Sequence, residues 1–307
     1  MQKPQLRIAP TPSGYLHLGN VMNFMLVQQL ALELGAEITL RIDDLDASRA
    51  REPYLAFIFE VLNHLNIHWH HGPKGLTETA EHSQWTRMQE YWHTLQVLSD
   101  RQLLYPCSCT RQELEAWRRH QNQPGTTTCP CFRNTQVSTD QFLQAIGTAP
   151  SSVQMAKPQA VAWRLHPELK RKVAFGSEEV WSWPDVPPVM FRKEGLPAYH
   201  LASVTDDVGM GTTHIVRGHD LLESSATQVV LAQALGLSTY LDVNYLHHGL
   251  LNHAGIMGEE SAGMKLSKSA GANAQAALPT SKEVELLMSC VSTIMQAKKP
   301  FVAVMIA

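Results

Sequence analysis

Two short motifs near opposite ends of the chain contain residues that could handle a nucleotide. The first, HLGN, places His17, Gly19 and Asn20 where an apolar strand turns into a helix. Helix N-termini offer unpaired N–H groups to phosphate, and glycine lets a nucleotide approach the backbone closely. The second, KLSKS, holds Lys265 and Lys268, whose charges could stabilise the oxygens that become negative when an α-phosphate is attacked. Together the motifs predict an ATP site for adenylyl transfer.

Either motif alone also fits an ordinary structure. A His-x-Gly after a strand is typical of a plain turn and helix start, and two lysines in a loop are typically solvated. The order of the motifs and their separation by a domain's length make the joint interpretation more specific.

A second group of residues could bind a small zwitterion with an acidic side chain. Arg7 and Arg217 can each hold a carboxylate through two hydrogen bonds, Tyr199 can donate one, and Asp43 can pair with an α-ammonium. Taken singly, each arginine also fits a structural ion pair, and Tyr199 fits a packed aromatic with a satisfied hydroxyl. The set as a whole favours an amino-acid pocket.

Four cysteines form two C-x-C pairs in a polar, turn-rich segment: Cys107 with Cys109, and Cys129 with Cys131. Four thiolates can close a tetrahedral zinc site, which would be structural because no position stays open. The usual spacing is C-x2-C, so free buried cysteines and disulfides remain alternatives. The fifth cysteine, Cys290, is predicted to be simply buried.

A run of histidines offers a weaker metal hypothesis. His68 and His70 alternate as they would on one face of a strand. No carboxylate or cysteine accompanies them, and surface histidines near a turn are common. The run therefore favours solvated histidines over a metal site.

Hydrophobic periodicity predicts the elements that must position these residues. We expect helices over residues 21–34 (ending at Gly35), 51–66, 81–103, 139–146, 220–235 and 284–295, with Asp220 as an N-cap and the apolar face of the last helix packed on the body. We expect strands over residues 6–9, 37–41, 161–165, 189–192 and 214–217. The strand at 37–41 would deliver Asp43 to the carboxyl edge of a parallel sheet, where ligands bind.

Composition bounds the class of protein. The 307 residues are 44% hydrophobic and 17% charged, which suits a globular protein of two domains or of one domain with an insertion. A net charge of −3 gives no global signature of nucleic-acid binding, so any RNA contact must be a local patch. The sequence shows no signal-peptide core and no apolar run of about 18 residues, so we expect a cytoplasmic protein with reduced cysteines.

The ordered motifs resemble the class I aminoacyl-tRNA synthetases, whose signatures are called HIGH and KMSKS, and within them the glutamyl branch. The similar segments are HLGN, KLSKS and residues 7–14, 40–46, 105–111, 195–207 and 215–222. The resemblance covers roughly residues 6 to 272. It implies an α/β fold with a Rossmann-like parallel sheet, an inserted zinc-bearing subdomain and a short helical C-terminal part.

The resemblance also implies a division of the chain. Residues 1–104 would form the first half of the catalytic domain, 105–190 the inserted subdomain with its four-cysteine zinc module, 191–272 the second half with the KLSKS loop, and 273–307 a helical tail.

The resemblance further implies roles for individual residues. His17, Lys265 and Lys268 would be catalytic, and ATP would also contact Gly19 and Asn20. Thr11 and Ser203 would line the amino-acid pocket together with the residues proposed above. The family usually has Glu where this chain has Asp43, so contact with the ammonium must move or use water. The third metal ligand in the family can be a tyrosine, and Cys129 takes that place here.

The activity implied is activation of glutamate with ATP and Mg²⁺, followed by transfer of the glutamyl group to the queuosine base of tRNA(Asp) by a monomer. Full-length glutamyl-tRNA synthetases continue into an anticodon-binding region, and the short tail here favours the queuosine acceptor. Three alternatives remain: a truncated synthetase acting on a tRNA 3′-end, a catalytically silent paralogue that binds RNA or an amino acid, and a small-molecule adenylyltransferase.

Overall fold

The computed structural model describes most of the chain. The described residues are 3–46, 49–120, 129, 132, 137–152, 155–183, 186–252, 255–256, 277–296, 302 and 304–306. Lys265, Lys268 and Cys131 lie outside them.

The described residues form both helices and strands. The helices are α1 (Leu18–Leu34), α2 (Glu52–His64), α3 (Met88–Asp100), α4 (Arg111–His120), α5 (Thr139–Ile146), α6 (Tyr199–Gly209), α7 (Leu222–Leu235), α8 (Ser238–Leu241) and α9 (Ser281–Gln296). The strands are β1 (Gln5–Ile8), β2 (Glu37–Leu40), β3 (Leu104–Cys107), β4 (Ala162–Leu165), β5 (Lys172–Phe175), β6 (Glu178–Trp181), β7 (Val189–Phe191), β8 (His214–Gly218), β9 (Asn244–His248), β10 (Leu251–Asn252), β11 (Gly255–Ile256) and β12 (Val304–Ile306). In the part described, no helix is both long and apolar enough to cross a bilayer.

The chain divides into two compact units. The first comprises Met1–Thr86, Met210–Leu222 and Val243–Ala303. The second comprises Arg87–Gly209, Glu223–Asp242 and Val304–Ala307. The division of the chain inferred from the resemblance stays a prediction.

Parallel strands form the centre of the first unit. β1 pairs with β2 and β8 pairs with β9, each in parallel register. The N–H of Thr213, just before β8, donates to the carbonyl of Gln5 at 2.9 Å, so β8 and β1 begin side by side. The carboxyl ends of these strands therefore lie at one edge, where ligands bind in open parallel sheets.

Helix α1 covers this sheet and is fixed at both ends. Apolar residues such as Val21, Phe24 and Leu30 are buried in the same core as Leu6 and Ile8 of β1. The helix ends at Gly35, whose φ of 61° lies in the left-handed region that glycine adopts readily. The predicted helix and its C-cap are confirmed, and so are the strands on either side of the helix.

Helix α9 packs on the first unit through one face. Leu287, Cys290 and Val291 are buried in the core shared with α1. Cys290 is therefore buried as expected. Helical spacing also predicts Met288 on this apolar face, and that prediction is wrong because Met288 is 59% exposed.

One predicted helix start is wrong. The helix expected from residue 81 begins at Met88, after a 3₁₀ turn at Gln84–Arg87. Ser83 donates to Asp44 at 2.6 Å and the backbone N–H of Gln84 donates to the other carboxylate oxygen at 2.8 Å, so long-range bonds hold this segment out of the helix.

That Asp220 caps a helix stays a prediction. This residue lies inside a 3₁₀ turn at His219–Leu221, and α7 starts only at Leu222. The carboxylate of Asp220 lies close to Gly218, since a Cβ atom at that glycine would be 2.6 Å from Oδ1 of Asp220.

Antiparallel strands and helices make up the second unit. β4 pairs with β3 on one side and β7 on the other. A second sheet has the order β12-β5-β6, in which β5 and β6 form a hairpin. The predicted helix at 139–146 is confirmed as α5, and the predicted strands at 161–165 and 189–192 correspond to β4 and β7.

Candidate functional site

The segment after β2 runs alongside the segment after β1 and is hydrogen-bonded to it. The N–H of Arg41 donates to the carbonyl of Ile8 at 2.9 Å, and the N–H of Asp43 donates to that of Pro10 at 3.0 Å. Asp43 is thereby held, with little exposure, at the carboxyl edge of the sheet, three residues beyond the end of β2. Arg7 is buried on β1 itself.

Asp43 forms an ion pair with Arg41, a residue that the sequence analysis missed. The guanidinium donates from Nε to Oδ1 at 2.6 Å and from its Nη2 to Oδ2 at 3.2 Å, and both side chains are buried. Such a two-bond contact fixes the plane of the carboxylate. Any ammonium group that used Asp43 would meet a carboxylate already oriented by Arg41. The spacing of two in an extended segment, which puts both side chains on one face, was the available signal.

His17 caps the N-terminus of α1. Its Nδ1 accepts from the backbone N–H of Asn20 at 3.3 Å, and the side chain of Asn20 accepts from the backbone N–H of His17 at 3.2 Å. This reciprocal pair is a capping box. Because Nδ1 is the acceptor, a neutral His17 ring has its proton on Nε2. The predicted nucleotide residues therefore sit in the first helical turn, where backbone N–H groups and the helix dipole favour an anion.

Gly19 lies beneath the ring of His17. A Cβ at this position would stand 3.0 Å from both Nδ1 and Cε1 of His17. With any other residue the capping ring would have to shift by a few tenths of an ångström, whereas glycine leaves the cap undisturbed.

Two further histidines, His247 and His248, end strand β9 beside Arg217. Arg217 is buried on β8 and pairs in register with His247. Burial lowers the pKa of His247 to about 3, and the charges of Arg217, His219 and His248 act in the same direction. His247 is therefore neutral at ordinary pH. Sequence analysis missed both residues, although their place at the end of a parallel strand is where ligand-binding residues occur.

His248 connects strand β9 to helix α1. Its Nδ1 donates to the carbonyl of Gly249 at 2.9 Å, which leaves Nε2 to accept from the side-chain amide of Asn23 at 3.1 Å. Burial lowers the pKa of His248, against the hydrogen bond to Gly249 and the charge of Asp220, both of which raise it. The neutral ring can therefore keep both bonds.

The predicted pocket residues fall in different units. Arg7, Asp43 and Arg217 lie in the first unit, and so does Thr11, an exposed residue whose carbonyl accepts from Ser13. Tyr199 and Ser203 lie in the second unit, one turn apart on α6, with Tyr199 45% exposed and Ser203 buried. That the six residues form one pocket stays a prediction.

A buried network in the second unit holds α6 against α3. Arg87 donates to Asp206 from Nε at 2.7 Å, and the hydroxyl of Tyr91 donates to the same oxygen at 2.7 Å. Burial opposes protonation of Arg87, yet the hydrogen bond and charge of Asp206 raise its pKa above the ordinary value. Burial and the same carboxylate raise the pKa of Tyr91. Arg87 therefore stays charged, and Tyr91 stays a neutral hydroxyl donor.

Three of the four predicted metal ligands come together in the second unit. The sulfurs of Cys107, Cys109 and Cys129 all lie within 4.8 Å of one another, and those of Cys107 and Cys129 are 3.6 Å apart. Tetrahedral zinc with Zn–S bonds of ~2.3 Å needs sulfurs about 3.8 Å apart, so the three positions fit one ion. The fourth ligand, Cys131, lies outside the described residues.

The surroundings of the cysteines suit such a site. The hydroxyl of Tyr105 donates to Cys129 at 3.5 Å, and burial together with this bond raises the pKa of Tyr105, so it stays a phenol donor. Leu114 is buried in the same cluster, and Trp117 and Phe132 pack against it.

The histidine run takes no part in a comparable cluster. Nδ1 of His70 accepts from the backbone N–H of Ile38 at 3.0 Å, and His71 pairs with Glu37 at 2.8 Å. His68 is exposed. Among the described residues, the group of three potential metal ligands consists of cysteines alone.

Comparison with known proteins decides the family. Residues 4–256 match the model of the catalytic domain of class I tRNA synthetases of the E and Q type. The chain belongs to this family. It is therefore an enzyme of the aminoacyl-tRNA synthetase-like ligases, and the resemblance inferred from the motifs is confirmed.

Several members of the family are similar over most of the chain. A glutamyl-Q tRNA(Asp) synthetase from Nitratidesulfovibrio vulgaris is 34% identical over 247 residues, which cover 80% of this chain and 74% of the relative. A glutamate–tRNA ligase from Nitrosococcus oceani is 31% identical over 238 residues, which cover 75% of this chain and 48% of the relative. The chain thus spans about half the length of that ligase.

A solved structure supports the fold. The crystal structure of a glutamate-tRNA synthetase from Elizabethkingia anophelis matches with a TM-score of 0.62 and 24% identity, covering 89% of this chain and 54% of that chain. The class I synthetase fold with a parallel sheet is therefore confirmed, whereas the zinc-bearing subdomain has support only from the cysteine cluster.

Proposed function

We propose that this enzyme activates glutamate with ATP and Mg²⁺ and then transfers the glutamyl group to the queuosine base of tRNA(Asp). Family membership supports the adenylation chemistry, and the similarity to a glutamyl-Q tRNA(Asp) synthetase supports the acceptor. The observation that carries the amino-acid assignment is the pair of buried guanidinium groups, Arg7 and Arg217, on parallel strands of the first unit. Each can hold a carboxylate through two hydrogen bonds.

The first step needs no acid or base from the protein. A carboxylate oxygen of glutamate attacks the α-phosphorus of ATP, the bond to the bridging oxygen breaks, and pyrophosphate leaves with Mg²⁺. Catalysis then consists of positioning and charge stabilisation. The first turn of α1 with His17 would face the phosphates, and Lys265 and Lys268 of the KLSKS loop would neutralise charge as it develops.

Asp43 is the proposed partner of the α-ammonium group. Its carboxylate accepts two hydrogen bonds from Arg41, and the same oxygens can accept further hydrogen bonds from a second cation. Tyr199, Thr11 and Ser203 complete the proposed pocket.

We propose a structural zinc ion held by Cys107, Cys109, Cys129 and Cys131. The sulfur spacing of the three described cysteines supports it. When bound, the ion would tie the end of β3 to the segment around Cys129 and would supply no step of the reaction.

Glutamate-dependent exchange of pyrophosphate into ATP, measured without RNA, tests the first half of the proposal. All twenty amino acids should be compared, because the side chain of Asp43 is one methylene shorter than that of the Glu usual at this position. Exchange with aspartate or glutamine and none with glutamate would refute the glutamate assignment.

Transfer of labelled glutamate distinguishes the acceptors. We expect attachment to tRNA(Asp) that contains queuosine, and none to tRNA(Glu). The product should persist when the terminal adenosine of the tRNA is removed beforehand. Its loss after that trimming would instead support a tRNA 3′-end, which the similarity to glutamate–tRNA ligases favours as the second candidate. Adenylate formation without transfer to any RNA would indicate a small-molecule adenylyltransferase.

A further inference from the structure

The β5–β6 hairpin presents an unusual exposed surface in the second unit. Lys172 and Trp181 are direct cross-strand partners, so their side chains share one face. Trp181 is 47% exposed, whereas Trp163 and Trp183 are buried. Tryptophan usually stabilises a fold by burying its large apolar ring. A tryptophan that stays exposed on a short strand pair therefore indicates a role other than packing.

Two lysines converge on this tryptophan. The Nζ atoms of Lys170 and Lys172 lie 5.1 Å and 5.7 Å from the centroid of the Trp181 ring. Both distances are within the range of cation–π attraction. The intervening Arg171 does not join them, because its guanidinium donates to the carbonyls of Glu168 and Lys170.

The same face also carries Glu179 and Met305. Glu179 lies 3.4 Å from Lys172, and both side chains are about half exposed, so the pair is weak. On the neighbouring strand Met305 is opposite Ala174, which is itself opposite Glu179, and Met305 is also exposed. We call Lys170, Lys172, Glu179, Trp181 and Met305 the Lys–Trp face.

We infer that the Lys–Trp face binds RNA, with a base or ribose on the Trp181 ring and phosphates at the two lysines. Aromatic rings bordered by basic side chains recognise unpaired nucleotides through stacking and charge together. The chain has a net charge of −3, so a local basic patch is what an RNA contact requires. The inference rests on the proposed function in so far as RNA is the glutamyl acceptor.

Binding of unfractionated, end-labelled tRNA over a range of salt concentrations tests the inference. Trp181→Ala should weaken binding about tenfold, the loss typical of one stacked base, and Trp181→Phe should retain most of the affinity. The double variant Lys170→Gln with Lys172→Gln should reduce the slope of log affinity against log salt concentration by about 1.5, because two phosphate contacts are lost. Glu179→Gln should tighten binding about twofold by removing a like charge from the phosphate path.

A second double variant controls for net charge. Lys157→Gln with Lys282→Gln removes two exposed lysines elsewhere and should leave affinity and salt slope unchanged. The inference would be overturned by no tRNA binding to the unaltered chain, by unchanged binding in the Trp181→Ala and Lys170/Lys172 variants, or by an equal loss in the control. Variants that lose binding to polyglutamate and keep tRNA would also overturn it, because the face would then recognise an acidic protein segment.

Glutamate-dependent pyrophosphate exchange without RNA separates this inference from the proposed function. All the variants should retain it, because none alters a residue proposed for adenylation. If the unaltered chain bound tRNA through this face and gave no exchange, the proposed function would fail and the RNA surface would stand.

Discussion

The ring of His17 takes part in the structure of α1 before any nucleotide arrives. Its Nδ1 bond to Asn20 satisfies a backbone donor of the first turn, and the same turn is the proposed phosphate site. Stability and catalysis therefore depend on different atoms of one side chain, and substitutions can separate them.

We predict that His17→Ala lowers the free energy of unfolding by about 1 kcal/mol, the usual cost of a lost N-cap, and that His17→Asn restores it. Both variants should lose about 10²-fold in glutamate-dependent pyrophosphate exchange, because asparagine can cap the helix but does not replace the imidazole at the phosphates. Urea unfolding and the exchange assay measure the two effects. Full exchange activity in His17→Asn would show that His17 serves the helix alone.

The buried histidines at the end of β9 predict an acid-sensitive fold. In the folded state His247 has a pKa of about 3 and is neutral at higher pH. In the unfolded chain its pKa is near the ordinary value of 6.5. Between these values the unfolded state binds the extra proton, so stability is complete above about pH 6.5 and falls as the pH decreases through this window. Each such histidine can remove up to about 1.4 kcal/mol per pH unit.

Urea unfolding between about pH 7 and pH 5 measures this dependence. His247→Gln should flatten the decline in the free energy of unfolding by the contribution of one proton. His68→Gln, at an exposed position, is the matched control and should not change the slope. Equal slopes in the His247 variant and the unaltered chain would contradict the assigned burial.

At the scale of elements, α9 is held on the first unit by a narrow stripe. We predict that Leu287→Ala lowers the free energy of unfolding by about 2–5 kcal/mol, because a fully buried leucine is replaced by a cavity. Its neighbour gives the control: Met288→Ala should change stability by no more than about 0.5 kcal/mol. Similar losses from both substitutions would place a different face of α9 against the core.

The cysteine cluster gives a second prediction at this scale. Purified protein should contain about one zinc ion per chain, and Cys107→Ser or Cys129→Ser should abolish that content. Cys290→Ser, which alters a buried cysteine far from the cluster in sequence, should leave it intact. Metal analysis with thiol titration decides the matter, since a metal-free protein with all cluster thiols reactive would refute the site.

At the scale of the whole molecule, strongly periodic elements were predictable and context-dependent ones were not. Helix α1 follows from its apolar spacing and Gly35, and α5 from its short amphipathic pattern. Strand β3 contains Pro106, which is tolerated because this edge strand pairs on one side with β4. Strand β9 was missed because its sequence, NYLHH, is buried by neighbours that come from distant parts of the chain.

The candidate site was predictable where residue type alone indicates chemistry. Arg7, Asp43, His17 and the cysteines follow from motifs and spacing. Asn23 and the neutral His248 are recognisable only through their partners, because a hydrogen bond over 225 residues leaves no local pattern. The same holds for Asp44, whose bonds to Ser83 and Gln84 shift a helix start.

The contact between Gly19 and the His17 ring makes the two positions interdependent in sequence variation. Alanine at position 19 should be poorly tolerated while histidine occupies position 17, since its Cβ would stand 3.0 Å from the ring. In a His17→Asn background the shorter side chain removes the obstacle, and Gly19→Ala should then raise helix stability by up to about 1 kcal/mol. The sign of the Gly19→Ala effect would thus reverse with its neighbour, so a scan of single substitutions would record position 19 as intolerant for a reason that resides at position 17.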